Sequence, residues 1–575
     1  MARFARSSAA ARSVRSARSV SPVSSVRRSR GALVAGVAVS VAAVTVAGCG
    51  SGSSGSGSSS GARTPSASAP SPSAASSSSS VERTSASSTP PPSPSRTFAL
   101  SSAPRVIPSV RTHEAARGPG WRPGAKSGVV IAPGRASAGL ADEGRLIAQE
   151  LKIGYRGAVA ARSGDVVLAV SGKGAAEAYT ATVRNNQVRI TGPGQAGVFY
   201  GTRTLKQSVR ASGAMPEGVV RDRPDRAQRG LNVDIARKFY TVDWIEARLR
   251  EMADLKLNQL GLHFSDDQGF RIASTTHPEI VSSQHLTKGQ VQRILDLAAR
   301  LHITVVPEID NPGHLGAVIA PHPSLQLRNV NGSAPRGAID IAQTASARII
   351  DDLLREYAGL FKGKIWNLGA DEYPALMVSN PQASFPNLAT AARKRFGAKA
   401  RVQDLTTGWT NDRAAVMAPF KRTLRVWNDG IFSGGIVQAN PDLEVQYWTG
   451  RETGARPPLD YLNAGRKLVN FNDEYLYYVL GQPNNFVYPT GRRIYEEWTP
   501  FVLRGTKAVP ARFSKQILGG LLAIWGDFPN AQTQDQVARG IRLPLNAVAQ
   551  KVWNPARPSL SWTGFKTLAR QVGTG

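Results

Sequence analysis

The residues best equipped for chemistry recur in one setting, just beyond short apolar stretches that read as β-strands. Asp371-Glu372 follow residues 364–368 across Gly369-Ala370. Asp310 and His314 lie in the run Glu308-Ile309-Asp310-Asn311-Pro312-Gly313-His314, Asp266-Asp267 close the stretch 259–265, and Asp234 and Arg237 close 230–234. Trp427, Trp448 and Trp525 end three more such stretches, Asp527 stands two residues after the last, and Tyr475, Tyr477 and Tyr478 follow residues 467–470. Carboxylates grip hydroxyls or move protons, and aromatic faces stack on the apolar C–H face of a pyranose, so this collection describes a sugar site. Taken singly, each element has a structural explanation. An Asp-Glu pair can be solvated surface, a strand-end Trp can be core, Asp266-Asp267 can cap a helix, Arg237 can serve an ion pair and His314 can sit in a satisfied loop. The shared strand-end register is what joins them.

The elements that must position these residues follow from periodicity. From about residue 225 to 575, eight short apolar strands (230–234, 259–265, 303–309, 364–368, 423–427, 444–448, 467–470 and 520–525) alternate with amphipathic helices. Val291, Ile294, Leu295 and Ala298 share one helical face, and Ile349, Leu353 and Tyr357 another. Eight strand–helix units predict a (β/α)8 TIM barrel, whose active residues stand at the C-terminal ends of the strands. No Gly-rich dinucleotide fingerprint or phosphate loop follows the first strand. Residues 104–224 predict a smaller α+β domain, with strands at 128–132, 165–170, 177–183 and 187–191, a hairpin turn at Asn185-Asn186, and helices over 140–152 and 198–209. The fold class is therefore α/β, a (β/α)8 barrel preceded by a small α+β domain.

The first hundred residues are of another kind. Residues 1–48 carry eight Arg and no acid, then an apolar run from Gly31 that ends Val46-Ala47-Gly48-Cys49. A basic region, a short apolar region and small residues read as an export signal. The chain's single Cys sits where the small residues end, which resembles a bacterial lipoprotein signal over residues 1–49, with Cys49 the lipidated residue. Plain secretion and an uncleaved membrane anchor are the alternatives. Residues 50–96 hold 21 Ser in 47 positions, too little apolar surface to offset ordering entropy, so residues 50–103 are expected to be a disordered tether. Localisation at the outer face of a bacterial cell membrane follows.

The formal net charge is +31. The basic residues beyond Cys49 are scattered rather than clustered, and no nucleic-acid motif is present, so nucleic acid is not an expected partner. One Cys excludes a disulfide scaffold, a Cys-rich zinc site and an iron–sulfur cluster. No metal, cofactor or obligate protein partner is called for.

Four segments make the barrel region resemble glycoside hydrolase family 20, the β-N-acetylhexosaminidases and their relatives. They are Arg229-Gly230-Leu231-Asn232-Val233-Asp234-Ile235-Ala236-Arg237, His263-Phe264-Ser265-Asp266-Asp267-Gln268-Gly269-Phe270-Arg271, Pro307 to His314, and Gly369-Ala370-Asp371-Glu372. Gly197-Val198-Phe199-Tyr200-Gly201 with Thr204-Leu205 resembles the end of the small domain that precedes the barrel in this family. The resemblance implies substrate-assisted retention, in which the substrate's acetamido oxygen attacks its own anomeric carbon to form an oxazolinium ion. It implies Glu372 as general acid and then base, with a raised pKa, and Asp371 as the group that holds the acetamide. It further implies Tyr475 on the acetamide oxygen, Trp427, Trp448 and Trp525 as walls, Arg229 on ring hydroxyls, Asp527 in substrate binding, and Asp267, Asp310 and His314 as substrate-binding or supporting groups.

The chain departs from the common family pattern at Asn367 (usually His), Ala370 (usually Gly), Tyr477 (often Asp) and Asp527 (often Glu). The last two changes concern the far side of the terminal sugar. Three functions are consistent with the residues. The first is an exo-acting β-N-acetylhexosaminidase cleaving N-acetylhexosamine-containing glycans. The second is a lacto-N-biosidase, using the same chemistry with a longer pocket. The third is a surface glycan-binding lipoprotein without turnover, against which the Asp371-Glu372 pair speaks.

Overall fold

The structure is a computed structural model that describes residues 97–452, 455–556 and 559–575. The export signal, Cys49 and most of the expected tether lie outside the described residues. No helix among the described residues is long and apolar enough to cross a membrane.

Eight parallel strands close on themselves, as the alternation of strands and helices predicts. They are β1 (Gln228–Asp234), β2 (Gln259–His263), β3 (Thr304–Asn311), β4 (Ile365–Gly369), β5 (Thr423–Trp427), β6 (Glu444–Tyr447), β7 (Leu468–Asn470) and β8 (Ile517–Trp525). Each pairs with its sequence neighbour, and β8 pairs with both β7 and β1. A short additional strand, Tyr477–Val479, lies beside β8 at the mouth, with Tyr477 opposite Ala523 and Val479 opposite Trp525.

Side chains alternate between the interior of the barrel and the surrounding helices. The interior parity of β1 is that of Gln228, Asn232 and Asp234; of β2, Gln259 and His263; of β5, Arg425 and Trp427. At the bottom, Arg425 binds Glu444 at 3.0 Å and Gln259 at 3.1 Å, and Gln228 reaches Glu444 at 3.1 Å, which closes the barrel with a hydrogen-bonded polar layer. At the top, register sets His263 directly between Asp234 and Glu308. The outward faces are apolar and meet the helices. Helix Lys288–Arg300 buries Val291, Ile294 and Ala298 and starts on a capping box in which Thr287 and Gln290 satisfy each other's backbone N–H groups.

The smaller domain is a seven-stranded mixed sheet, in the order Thr112–Ala115, Gly218–Asp222, Tyr179–Arg184, Gln187–Gly192, Val166–Val170, Gly128–Ile131, Gly154–Gly157, with helices Ala141–Leu151 and Gln195–Ser212. Asn185 and Asn186 both have positive φ (52° and 55°), as a tight hairpin turn requires. Residues 97–103, assigned above to the tether, instead pack along this domain. Leu100 bridges Arg117 and the Ser101 hydroxyl donates to the Glu217 carbonyl at 2.6 Å. A segment whose backbone groups find such partners is held in place despite its tether-like composition.

Candidate active site

The polar strand ends converge as expected. Asp234, fully buried at the end of β1, binds the Arg237 guanidinium at 3.0 Å and accepts the Gly526 N–H at 2.9 Å, which ties the end of β1 to the end of β8. A Cβ on Gly526 would stand 2.8 Å from the Arg237 side chain, so only glycine permits this approach. Arg237 reaches on to Asp266 at 2.8 Å and to His314 Nδ1 at 3.4 Å. His263, buried beneath, faces Asp266 at 2.8 Å and Glu308 at 3.2 Å. Burial alone would lower its pKa, but the charge of Glu308 and the bond to Asp266 outweigh burial and hold it well above the usual histidine range.

The two consecutive acids leave β4 on a strained turn. Gly369, Ala370 and Glu372 all have positive φ (72°, 80° and 45°). A Cβ on Gly369 would stand 1.7 Å from Asp310 Oδ1, which itself accepts the Ala370 N–H at 3.0 Å. Asp429, after β5, accepts the Glu372 N–H at 2.9 Å with one oxygen and the Trp448 indole N–H at 2.9 Å with the other. Ala370 and Glu372 adopt this conformation at a cost, and Asp310 and Asp429 are what hold it. Asp371 and Glu372 thus share the mouth through a braced left-handed turn rather than through simple strand alternation.

His314 stands between these acids and the β1–β2 network. Its Nε2 lies 3.3 Å from Glu372 Oε2 and 3.9 Å from Asp371 Oδ2, and its Nδ1 lies 3.5 Å from Asp266. Burial would lower its pKa, but Asp266 above all, with Glu372 and Asp310, raises it well above the ordinary value, so the ring is an imidazolium. Burial pushes Asp371 up, against the pull of His314 and of the Asp310 hydrogen bond. Asp310 is pushed well above the carboxylate range by burial and then by the charge of Asp371, so it is the protonated partner of that bond. Asp429 is pushed up to about 8 by burial and then by Asp371. Burial would also raise Glu372, but the bond to His314 and the charges of His314 and Arg237 prevail and lower it. The expectation of a raised Glu372 pKa is therefore corrected. That expectation rests on what an acid working near neutral pH requires, and the His314 and Arg237 cations act against it.

These groups open on a cavity of about 250 Å³. It is lined by Arg237, His314, Asp371 and Glu372 and by Trp448, Tyr477, Trp525 and Asp527, with Arg451, Glu452, Asp473, Val479, Asn484 and Phe486 completing it. Trp448 and Tyr477 are stacked in parallel (5.7 Å between centroids, 5° between planes), and Trp525 leans on Tyr477 at 5.6 Å. The result is a cavity that combines an aromatic cluster with the Asp371 and Glu372 carboxylates.

Four residues expected to touch substrate, and Asp310 beneath them, do not line this cavity. Arg229 has the opposite parity to Asp234 and lies at the start of β1, so it points outward at the far end of the barrel. There it is fully buried and makes a bidentate pair with Glu177 of the small domain, both bonds 2.9 Å. The arginines that line the cavity are Arg237 and Arg451. Tyr475 lies in a helical turn (Asp473–Leu476) that turns it away, its hydroxyl on Glu497 at 3.1 Å and its ring under the Arg493 guanidinium. The cavity's tyrosine is Tyr477, and its hydroxyl is pushed well above the phenolic range by burial and then by the charge of Asp371. Asp267 accepts the Gly316 N–H at 2.9 Å and meets Arg336 at 3.2 Å, bracing the loop after β3, whereas Asp266 carries the network. Trp427 is the floor under Trp525 (5.8 Å between centroids) and donates its indole N–H to Glu308 at 2.7 Å. Arg237 and Tyr477 were visible as strand-end residues, while the roles of Glu308 and Asp429 had no separate signal in the sequence.

The sequence pattern of the catalytic domain of glycosyl hydrolase family 20 matches residues 227–556, and that of the family's domain 2 matches residues 103–223. The chain belongs to glycosyl hydrolase family 20. Within this family it is similar to the lacto-N-biosidase of Bifidobacterium bifidum (28% identity over 403 residues, 69% of this chain and 35% of the relative). It is also similar to a β-hexosaminidase of Porphyromonas gingivalis (25% over 411 residues, 66% of this chain and 51% of the relative). These matches span about a third to a half of the relatives' own lengths. Among solved structures, the β-hexosaminidase of Streptomyces plicatus in complex with GlcNAc shares the fold with a TM-score of 0.65 at 22% identity, over 83% of this chain and 97% of that one. The enzyme of Streptomyces coelicolor A3(2) does so with a TM-score of 0.63 at 24%, over 83% and 98%.

Proposed function

We propose that this glycoside hydrolase is an exo-acting β-N-acetylhexosaminidase that works through an oxazolinium intermediate. The observation that carries the reading is the pairing of Asp371 and Glu372 on a braced turn, facing His314 in a cavity also lined by Trp448, Tyr477 and Trp525. The substrate's acetamide oxygen bonds to its own anomeric carbon as the bond to the leaving oxygen breaks. Glu372 gives its proton to that oxygen. Asp371, whose other contact is the Asp310 proton, accepts the acetamide N–H and stabilises the positive charge on the ring. The Tyr477 hydroxyl, near Asp371, donates to the acetamide oxygen and aligns it for attack. Water then adds to the anomeric carbon, Glu372 takes its proton, and the oxazolinium reopens to the acetamide with the β configuration restored. The test is the anomer first released from a β-linked N-acetylglucosaminide, followed by NMR before mutarotation. β is expected, and α would overturn the scheme.

The second reading is a lacto-N-biosidase. Two features favour it: the chain has Tyr477 where many members carry a carboxylate, and Asn484 and Phe486 also line the cavity. Product analysis on one tetrasaccharide separates the two, by release of N-acetylglucosamine or of a disaccharide. The proposed site of action is the outer face of a bacterial membrane, with Cys49 as the lipid-bearing residue. Radiolabelled fatty acid incorporated into the chain, and lost in Cys49→Ser, tests it.

A further inference from the structure

Two loops at the rim of the barrel carry a cluster that the glycosidase chemistry does not use. The loop after β2 contains His277-Pro278-Glu279, and the loop after β3 contains His322-Pro323. Each histidine immediately precedes a short 3-10 turn begun by its proline, with nearly the same backbone angles (φ −138°, ψ 66° and φ −125°, ψ 58°). The proline restricts the residue before it, so both rings are presented from stiff backbone. They converge on one carboxylate oxygen. Glu279 Oε1 lies 3.1 Å from His277 Nδ1 and 2.8 Å from His322 Nε2. All three ligand-type atoms lie within 4.8 Å of one another. The side chains are half-buried, open enough for an ion to enter.

The far side of His277 is also provided for. Its Nε2 is buried without a hydrogen-bond partner and faces Asp352 Oδ2 at 3.6 Å, on helix Thr344–Leu360. A carboxylate behind a histidine favours the tautomer with its proton on that side and leaves the other nitrogen's lone pair for a ligand. Among the described residues, the other two clusters of metal-ligating side chains, Asp266–Asp267–His314 and Asp310–His314–Asp371, belong to the active site.

We propose that His277 Nδ1, His322 Nε2 and Glu279 Oε1 form a site for one divalent cation of the zinc class, which staples the β2 loop to the β3 loop. Two imidazoles and one carboxylate suit zinc, whereas calcium and magnesium seek oxygen ligands. Three protein ligands leave one position for water. The ion needs the lone pairs of His277 Nδ1 and His322 Nε2, so protons compete with it for these ligands and binding weakens as pH falls. The stapled loops are those that carry Asp266 and His314, so the ion stiffens the rim supporting the active site without entering the reaction.

The test uses the full chain after chelator treatment and dialysis. Zn²⁺ is titrated by calorimetry at pH 7.5, and Co²⁺ is added separately to read its visible d–d absorption. One ion per chain is expected, with nitrogen-ligated Co²⁺ bands. His322→Ala should remove the Co²⁺ bands and weaken Zn²⁺ binding at least about 100-fold, and Asp352→Asn should weaken it about 10- to 100-fold, as loss of a supporting carboxylate does. Circular dichroism of each variant shows whether it is folded. No uptake by the wild-type chain at micromolar Zn²⁺ would overturn the proposal. So would uptake undiminished in both folded variants, which would place the ion on the active-site carboxylates.

Discussion

The His314 ring lies with Nε2 3.3 Å from Glu372 Oε2, while Asp266, itself held by Arg237, faces its opposite nitrogen. This contact decides the protonation of the acid. With Asp371 raised by burial and Glu372 lowered by the imidazolium, the two carboxyls are pulled toward the opposite of the state catalysis needs, Asp371 ionised and Glu372 protonated. For kcat/KM, activity falls on the acid side as Asp371 is protonated and on the alkaline side as Glu372 is ionised. His314→Gln removes the cation that lowers both carboxyls, so both pKa values rise and both limbs of the profile move to higher pH. Profiles of kcat/KM for both proteins check this, and an unmoved alkaline limb would show that His314 does not set the acid's pKa.

Glu372→Gln cannot donate a proton. It should lose about 10²- to 10⁴-fold in kcat/KM on natural oligosaccharides, the usual scale for general acid catalysis, and much less on activated aryl glycosides. Rates on leaving groups of graded pKa measure this. Equal losses across the series would take the acid role away from Glu372.

Tyr477 and Tyr475 make a paired test. Tyr477→Phe deletes the hydroxyl near Asp371 and should lower kcat/KM about 10²-fold, the scale of one donor to a developing charge. Tyr475→Phe deletes only a bond to Glu497 and should leave kinetics near wild type. If Tyr475→Phe were the damaging change, the assignment from the structure would be reversed.

Arg229 should behave as a joint between domains. Glu177→Ala leaves its buried guanidinium without its carboxylate and should cost about 3 kcal/mol of stability, the lower end for breaking a buried pair. Denaturant unfolding measures the loss, and KM should be unchanged. A raised KM with unchanged stability would return the Arg229 region to the sugar site.

Most of the barrel was legible because its strands are short apolar runs bounded by charge. The predicted stretch 423–427 is β5, and 364–368 differs from β4 by a single residue at each end. The hairpin at Asn185-Asn186 was legible from turn chemistry. The edge strands Thr112–Ala115 and Gly154–Gly157 were not, since they are short, largely exposed and lack a repeating apolar pattern. In the site, Arg229 could have been placed by parity and length. It lies five residues before Asp234, about 16 Å along an extended strand, and so cannot share the mouth with it. The Tyr475–Tyr477 choice depends on a helical turn inside the six-residue connection 471–476, which periodicity does not resolve. The lowered Glu372 pKa depends on a contact between two loops that only the folded chain brings together.

The central claim is that the sugar's own amide is the nucleophile. The most direct measurement compares kcat/KM for an aryl β-N-acetylglucosaminide with that for the matching β-glucoside, which lacks the N-acyl arm. Intramolecular nucleophiles reach effective concentrations of about 10⁵ M and above, so the glucoside should react at least about 10⁵-fold more slowly. Comparable rates for the two would contradict the account.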